Sequence, residues 1–87
     1  MEIVFIGKAE KDLNYWKRSG NTSVLKKIRK LFESVQKSPF SGIGKPEPLK
    51  YELTGKWSRR ITRADRMVYA IQDQKIKVYS LKGHYEH

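Results

Sequence analysis

The chain has 87 residues, with 19 basic and 9 acidic side chains, a formal charge of +10 and no cysteine. The length suggests one domain over residues 1–87 with a compact core, and the missing cysteines exclude disulfide and thiolate chemistry. The charge asks for a polyanionic partner, with nucleic acid ahead of an acidic protein or an anionic membrane.

Glu2 to Ile6 is short, β-branched and apolar, which predicts a buried strand. No signal peptide is read in the opening MEIVFIGKAEKD, because no charged region precedes its apolar run. Nor does any apolar run approach the roughly 20 residues that span a bilayer, so no membrane partner is expected. Lys8 to Arg18 reads as a helix with Ala9, Leu13 and Trp16 on one face and Lys8, Lys11 and Asp12 elsewhere. Asn21 or Thr22 can cap a second helix running to about Gln36. Its apolar positions, Val24, Leu25, Ile28, Leu31, Phe32 and Val35, follow a 3.6-residue period, and Ser38-Pro39 stops it. The two helices form a hairpin with a short turn.

The stretch from Gly42 to Arg60 holds one acid of particular interest. Glu47 lies between Pro46 and Pro48, which stiffen its backbone towards an extended form and so aim its carboxylate. Lys45, Lys50, Lys56, Arg59 and Arg60 surround it in the sequence. Trp57 to Thr62, Arg66 to Gln72 and Lys75 to Leu81 alternate with period two and predict an antiparallel meander. Trp57, Arg59 and Ile61 share one face, and Ser58, Arg60 and Thr62 share the other. The expected fold class is α+β: an N-terminal strand, a two-helix hairpin, then an antiparallel sheet with helices on one face and the opposite face free. A hairpin turning about Arg63 would place Arg60 opposite Arg66. Like charges so placed are unfavourable unless an anion lies between them, which is the logic of a phosphate clamp.

No nucleophile elbow, P-loop or dinucleotide fingerprint is present. His84, Glu86 and His87 cluster at the end of the chain, but a bare terminal tract is a poor metal site, and neither metal nor cofactor is expected. General acid–base cleavage of RNA remains, because the substrate brings its own nucleophile, the 2′-hydroxyl. Glu47 suits the base. Arg60 and Arg66 suit the cations that stabilise a phosphorane. His84 suits the acid, and Tyr85 can stack or orient phosphate. Trp57, Arg59 and Arg60 are the candidate substrate- and phosphate-binding residues. Each residue also has a structural reading: strand charges for Arg60 and Arg66, a frayed tail for His84 and Tyr85. A non-catalytic basic module that binds RNA, ribosome or operator DNA, with Trp57 and Tyr85 stacking on bases, therefore stays open.

The run Gly44-Lys45-Pro46-Glu47-Pro48-Leu49-Lys50, then Leu53-Thr54-Gly55-x-Trp57-Ser58-Arg59-Arg60-Ile61, then Arg66-Met67-Val68-Tyr69-Ala70 and finally His84-Tyr85 resembles the YoeB-type toxins of the RelE superfamily. Tyr15-Trp16, Lys26-Lys27-Ile28 and Pro39-Phe40 extend the resemblance into the helical half. It implies a bacterial, cytoplasmic toxin of a type II toxin–antitoxin pair, with a microbial-RNase-like sheet and two helices. Such a toxin cuts mRNA in the ribosomal decoding site without metal and leaves a 2′,3′-cyclic phosphate. It further implies a YefM-like antitoxin whose acidic segment covers the site, operator DNA bound only through the antitoxin complex, and commonly a toxin dimer. By the family's motif Glu47 is the base, Arg66 the phosphate-stabilising arginine, His84 the acid and Tyr85 its partner, while Lys50 and Arg60 match substrate-contacting positions. Two departures are evident: Gly83 stands where the family usually has an aromatic residue, and Glu86-His87 follow the tyrosine.

Overall fold

A helical hairpin separates the first strand from the rest of the sheet. In the computed structural model, which describes residues 1–83, β1 (Glu2–Phe5) leads into α1 (Ala9–Ser19) and α2 (Thr22–Lys37). A two-residue strand β2 (Glu47–Pro48), one 3-10 turn (Tyr51–Leu53), β3 (Trp57–Arg60), β4 (Arg66–Gln72) and β5 (Lys75–Ser80) follow.

The cap of α2 is Asn21, whose Oδ1 accepts from Val24 N at 3.1 Å and satisfies one of the orphan amides of the first turn. Val24, Ile28, Leu31 and Val35 are its buried positions, spaced by three and four residues as a helix stripe requires. Leu25 and Phe32 only flank that stripe. The helix stops where Ser38 turns extended before Pro39. On α1 the buried residues are Ala9, Asp12 and Trp16. Asp12 was expected off the core face, yet it is buried. The aspartate is tolerated there because it accepts from Lys8 Nζ at 2.8 Å and from Leu81 N at 3.0 Å.

The sheet order is β1-β5-β4-β3-β2. Neighbours from β5 to β2 are antiparallel, while β1 runs parallel to β5 from Glu2↔Lys75 to Phe5↔Val78. The β4–β5 hairpin turns through Asp73 and Gln74, both with positive φ, the backbone of a two-residue type I′ loop. β3 and β4 pair from Trp57↔Tyr69 to Arg60↔Arg66, the register expected for a turn centred on Arg63. Both helices pack on one face of the sheet against Met67, Tyr69, Ile76 and Val78. Each fully buried aliphatic side chain such as Leu31 or Ile76 contributes roughly 1.5–3 kcal/mol. The two-layer α+β architecture is the one expected, but the face away from the helices is not wholly free: it carries Arg60 and Arg66, while Ser58 and Val68 on it are fully buried.

Candidate active site

Glu47 belongs to a strand that alternation does not reveal. Proline cannot donate to a ladder, so a Pro-Glu-Pro segment is confined to a sheet edge, and β2 is that edge. Glu47 pairs with Ser58 and Pro48 with Trp57. The segment is tied down on both sides. Before it, Gly44 O accepts from Arg60 N at 2.7 Å; after it, Leu49 N donates to Lys56 O at 2.9 Å. Gly44 has φ +82, and a Cβ there would lie 2.7 Å from Leu31 Cδ2 and 3.1 Å from Arg59 Cβ. Only glycine lets the chain pass between α2 and β3 at that point.

Arg66 opens β4 on the same face. Its Nη1 donates to Glu47 Oε1 at 3.1 Å and to Ser58 Oγ at 3.3 Å. Arg60 lies directly across from Arg66 in the register. The amide of Arg60 points to Gly44 and that of Arg66 to Gly83, both away from the shared ladder. The two arginines therefore form the close, non-hydrogen-bonded kind of cross-strand pair. Two like charges so near each other gain from an anion, and Glu47 supplies one to Arg66. The Glu47 side chain is 57% exposed, so this ion pair adds little stability. Lys50 is exposed just beyond β2, at the start of the 3-10 turn. A carboxylate able to take a proton and two guanidiniums able to hold phosphate oxygens thus meet on one open surface.

His84 and Tyr85, and the terminal Glu86 and His87, lie outside the described residues. The residue before them is well placed. Gly83 has φ +86, a left-handed backbone that favours glycine. Its carbonyl accepts from Arg66 N at 2.8 Å and its amide donates to Asp65 Oδ1 at 2.8 Å. The chain entering His84 is therefore fastened beside Arg66, at the start of β4. Glycine is the most freely flexing residue, yet these two hydrogen bonds fix Gly83 in place.

Two candidate substrate-binding residues fall on the other face. Arg59 is fully buried. Its Nε donates to Tyr69 Oη at 3.1 Å, Nη1 to Ser34 Oγ and Ile43 O, and Nη2 to Ser38 O and Ser41 O, the last two at 2.7 Å. The guanidinium thus satisfies the carbonyls where α2 ends, at the negative pole of the helix dipole. It is occupied in holding the loop, so the expectation that it contacts substrate is corrected. Burial pushes the Tyr69 phenol up from its ordinary pKa, a shift the Arg59 hydrogen bond and charge oppose. Trp57 likewise turns to the helix-covered face, where its ring lies 4.8 Å from that of Phe40, centroid to centroid. That removes it from the surface shared by Glu47 and Arg66. Ser58 and Asp65, which the sequence reading passed over, contact Arg66 and Gly83. The T-x-x-D spacing of Thr62 and Asp65 signals a closed turn but says nothing of Gly83.

The family described as YoeB-like toxin of bacterial type II toxin-antitoxin system matches residues 5–85. The chain is 39% identical to "Toxin YoeB" of Escherichia coli K12 over 85 residues, covering 98% of this chain and 100% of that one. Among solved structures, the YoeB/ParE toxin from Agrobacterium tumefaciens superposes with a TM-score of 0.93 at 37% identity, covering 98% and 100% of the two chains. A toxin chain of the heterotetrameric YoeB-YefM complex from Staphylococcus aureus superposes with a TM-score of 0.88 at 41% identity, covering 98% of each.

Proposed function

Because this chain belongs to the YoeB-like toxins of bacterial type II toxin–antitoxin systems, which are endoribonucleases, we propose that residues 1–87 act as one toxin domain that cleaves mRNA on the ribosome by metal-independent acid–base catalysis. Glu47 removes the proton of the 2′-hydroxyl, whose oxygen attacks the adjacent phosphorus. Arg60 and Arg66 bind the non-bridging oxygens as charge builds on the phosphorane. His84 protonates the departing 5′-oxygen, Tyr85 orients the phosphate, and Lys50 contacts the substrate backbone. The products are a 2′,3′-cyclic phosphate and a 5′-hydroxyl.

The observation that supports this most directly is the Arg66–Glu47 contact of 3.1 Å with Arg60 in register beside it. A guanidinium has five N–H donors, and both Arg66 side-chain bonds come from Nη1. In the proposed complex, phosphate takes up the guanidinium and Glu47 turns to the ribose.

The partners follow from the same reading. A YefM-like antitoxin would lay an acidic segment across the arginines, and operator DNA would be bound only by that complex. The S. aureus relatives, described as a YoeB dimer and as a YoeB-YefM complex, support an antitoxin and a toxin homodimer for this chain. The proposed location is the bacterial cytoplasm, with no membrane role. No helix among the described residues is long and apolar enough to cross a bilayer.

Primer extension on a message held by stalled ribosomes tests the proposal. New 5′ ends should appear with the parent protein. Glu47→Gln and His84→Gln should each abolish them while circular dichroism shows an unchanged fold. Undiminished cutting by both variants would overturn it.

A further inference from the structure

The three residues that precede His84 are held by side chains from two distant elements. From α1, Asp12 Oδ2 accepts from Leu81 N at 3.0 Å. Trp16 Nε1 donates to Leu81 O at 2.8 Å, and Lys8 Nζ to Lys82 O at 2.9 Å. From the turn between β3 and β4, Asp65 Oδ1 accepts from Gly83 N at 2.8 Å, while Arg66 N donates to Gly83 O at 2.8 Å. Chain ends ordinarily leave such groups to water. Here the amide and carbonyl of both Leu81 and Gly83 have protein partners.

Asp65 divides its two oxygens between two tasks. Oδ2 accepts from Thr62 Oγ1 at 2.7 Å, and Thr62 Oγ1 accepts in turn from Ala64 N and Asp65 N, which closes the turn. Closing the turn uses only that oxygen. Oδ1 reaches outside the turn to Gly83, whose own side chain can offer no anchor.

We infer that Asp65 is a positioning residue for proton transfer to the leaving group: it fixes Gly83, the residue from which the chain continues to the proposed general acid, beside Arg66. The inference rests on the reading of His84 as general acid. In the step concerned the 2′-oxygen bonds to phosphorus, the bond from phosphorus to the 5′-oxygen breaks, and that oxygen takes the proton of the imidazolium. The 2′-proton leaves on Glu47. An error of about 1 Å in the donor's origin can cost about 100-fold in rate.

The test is single-turnover cleavage of ribosome-bound mRNA with two linkages at the cut site: the natural one, and one with sulfur in place of the bridging 5′-oxygen. A thiolate leaves without a proton, so the sulfur linkage bypasses the general acid. On the natural linkage Asp65→Ala should lose about 10- to 100-fold in kcat with KM unchanged. On the sulfur linkage it should come within about threefold of the parent. Asp65→Asn keeps an acceptor for Gly83 N and gives up only the bond from Thr62, so it should stay near the parent on both. Thr62→Ala, which opens the turn but leaves Oδ1 in place, should do the same. If Asp65→Ala unfolds by calorimetry, Asp65→Ser, with its shorter reach, takes its place.

A defect in Asp65→Ala that is equal on both linkages, or no defect at all, overturns the inference. The underlying reading is judged separately by His84→Gln, which the sulfur linkage should rescue. Rescue of His84→Gln without rescue of Asp65→Ala sinks the positioning role alone. Failure to rescue His84→Gln removes the general acid, and the inference goes with it.

Discussion

Arg59 and Arg60 are adjacent in β3, and the pleat sends them to opposite environments. Arg59 lies within the core, where its guanidinium donates to backbone carbonyls at residues 38, 41 and 43. Arg60 is exposed beside Arg66. Arg59→Met should therefore cost about 3 kcal/mol or more, since it strands several buried acceptors at once. Arg60→Ala should stay within about 0.5 kcal/mol of the parent in urea denaturation yet slow cleavage sharply. Period-two alternation already separates the pair in the sequence. What it does not disclose is that Arg59 is a loop anchor, because most of its acceptors are backbone carbonyls and any residue type supplies those. Tyr69, which shares the Arg59 network, gives a pH signature. Its folded pKa lies above the ordinary 10.0, so the native state keeps a proton that the unfolded chain releases first. That contribution is whole below about pH 10 and is lost as pH rises through the folded value. Urea midpoints should fall above about pH 10, and Tyr69→Phe should make the fall shallower.

At the level of elements, the helices were legible because Val24, Ile28, Leu31 and Val35 keep one period along most of a 16-residue helix. The meander was legible for the same reason, with a period of two. β2 was not, since a two-residue strand, Glu47 and Pro48, carries no period at all. Its place depends instead on Gly44, where the backbone passes Leu31 and Arg59 too closely for any side chain. Gly44→Ala should cost roughly 2–3 kcal/mol, combining a left-handed φ with a clash. Gly20 also has positive φ but open space around it, so Gly20→Ala should cost only about 1 kcal/mol. Equal losses in the two melts would mean that the approach to Leu31 is unimportant. The candidate site was half legible. The Pro-Glu-Pro motif and the Arg60–Arg66 register were both readable. The Asp65–Gly83 bond was not, since it joins residues 18 apart through one oxygen of a turn aspartate.

Over the whole molecule, 19 basic against 9 acidic side chains set a long-range field that favours RNA approach. Neutralising about four phosphates of a single strand should make affinity fall roughly 50-fold between about 50 and 200 mM salt. Fluorescence anisotropy with labelled RNA reads this directly, and a flat response would remove electrostatics from the account.

The parallel pairing of β1 with β5 also sets a timetable. Translation delivers β1 before its hydrogen-bonding partner β5, which follows only after both helices and the other strands, together with the buried Ile76 and Val78. A nascent chain cannot close its sheet by halves. Loop closure across the two helices and three strands between them must precede the reward of pairing, which slows folding. The sheet of an endoribonuclease built this way stays open until β5 has been delivered.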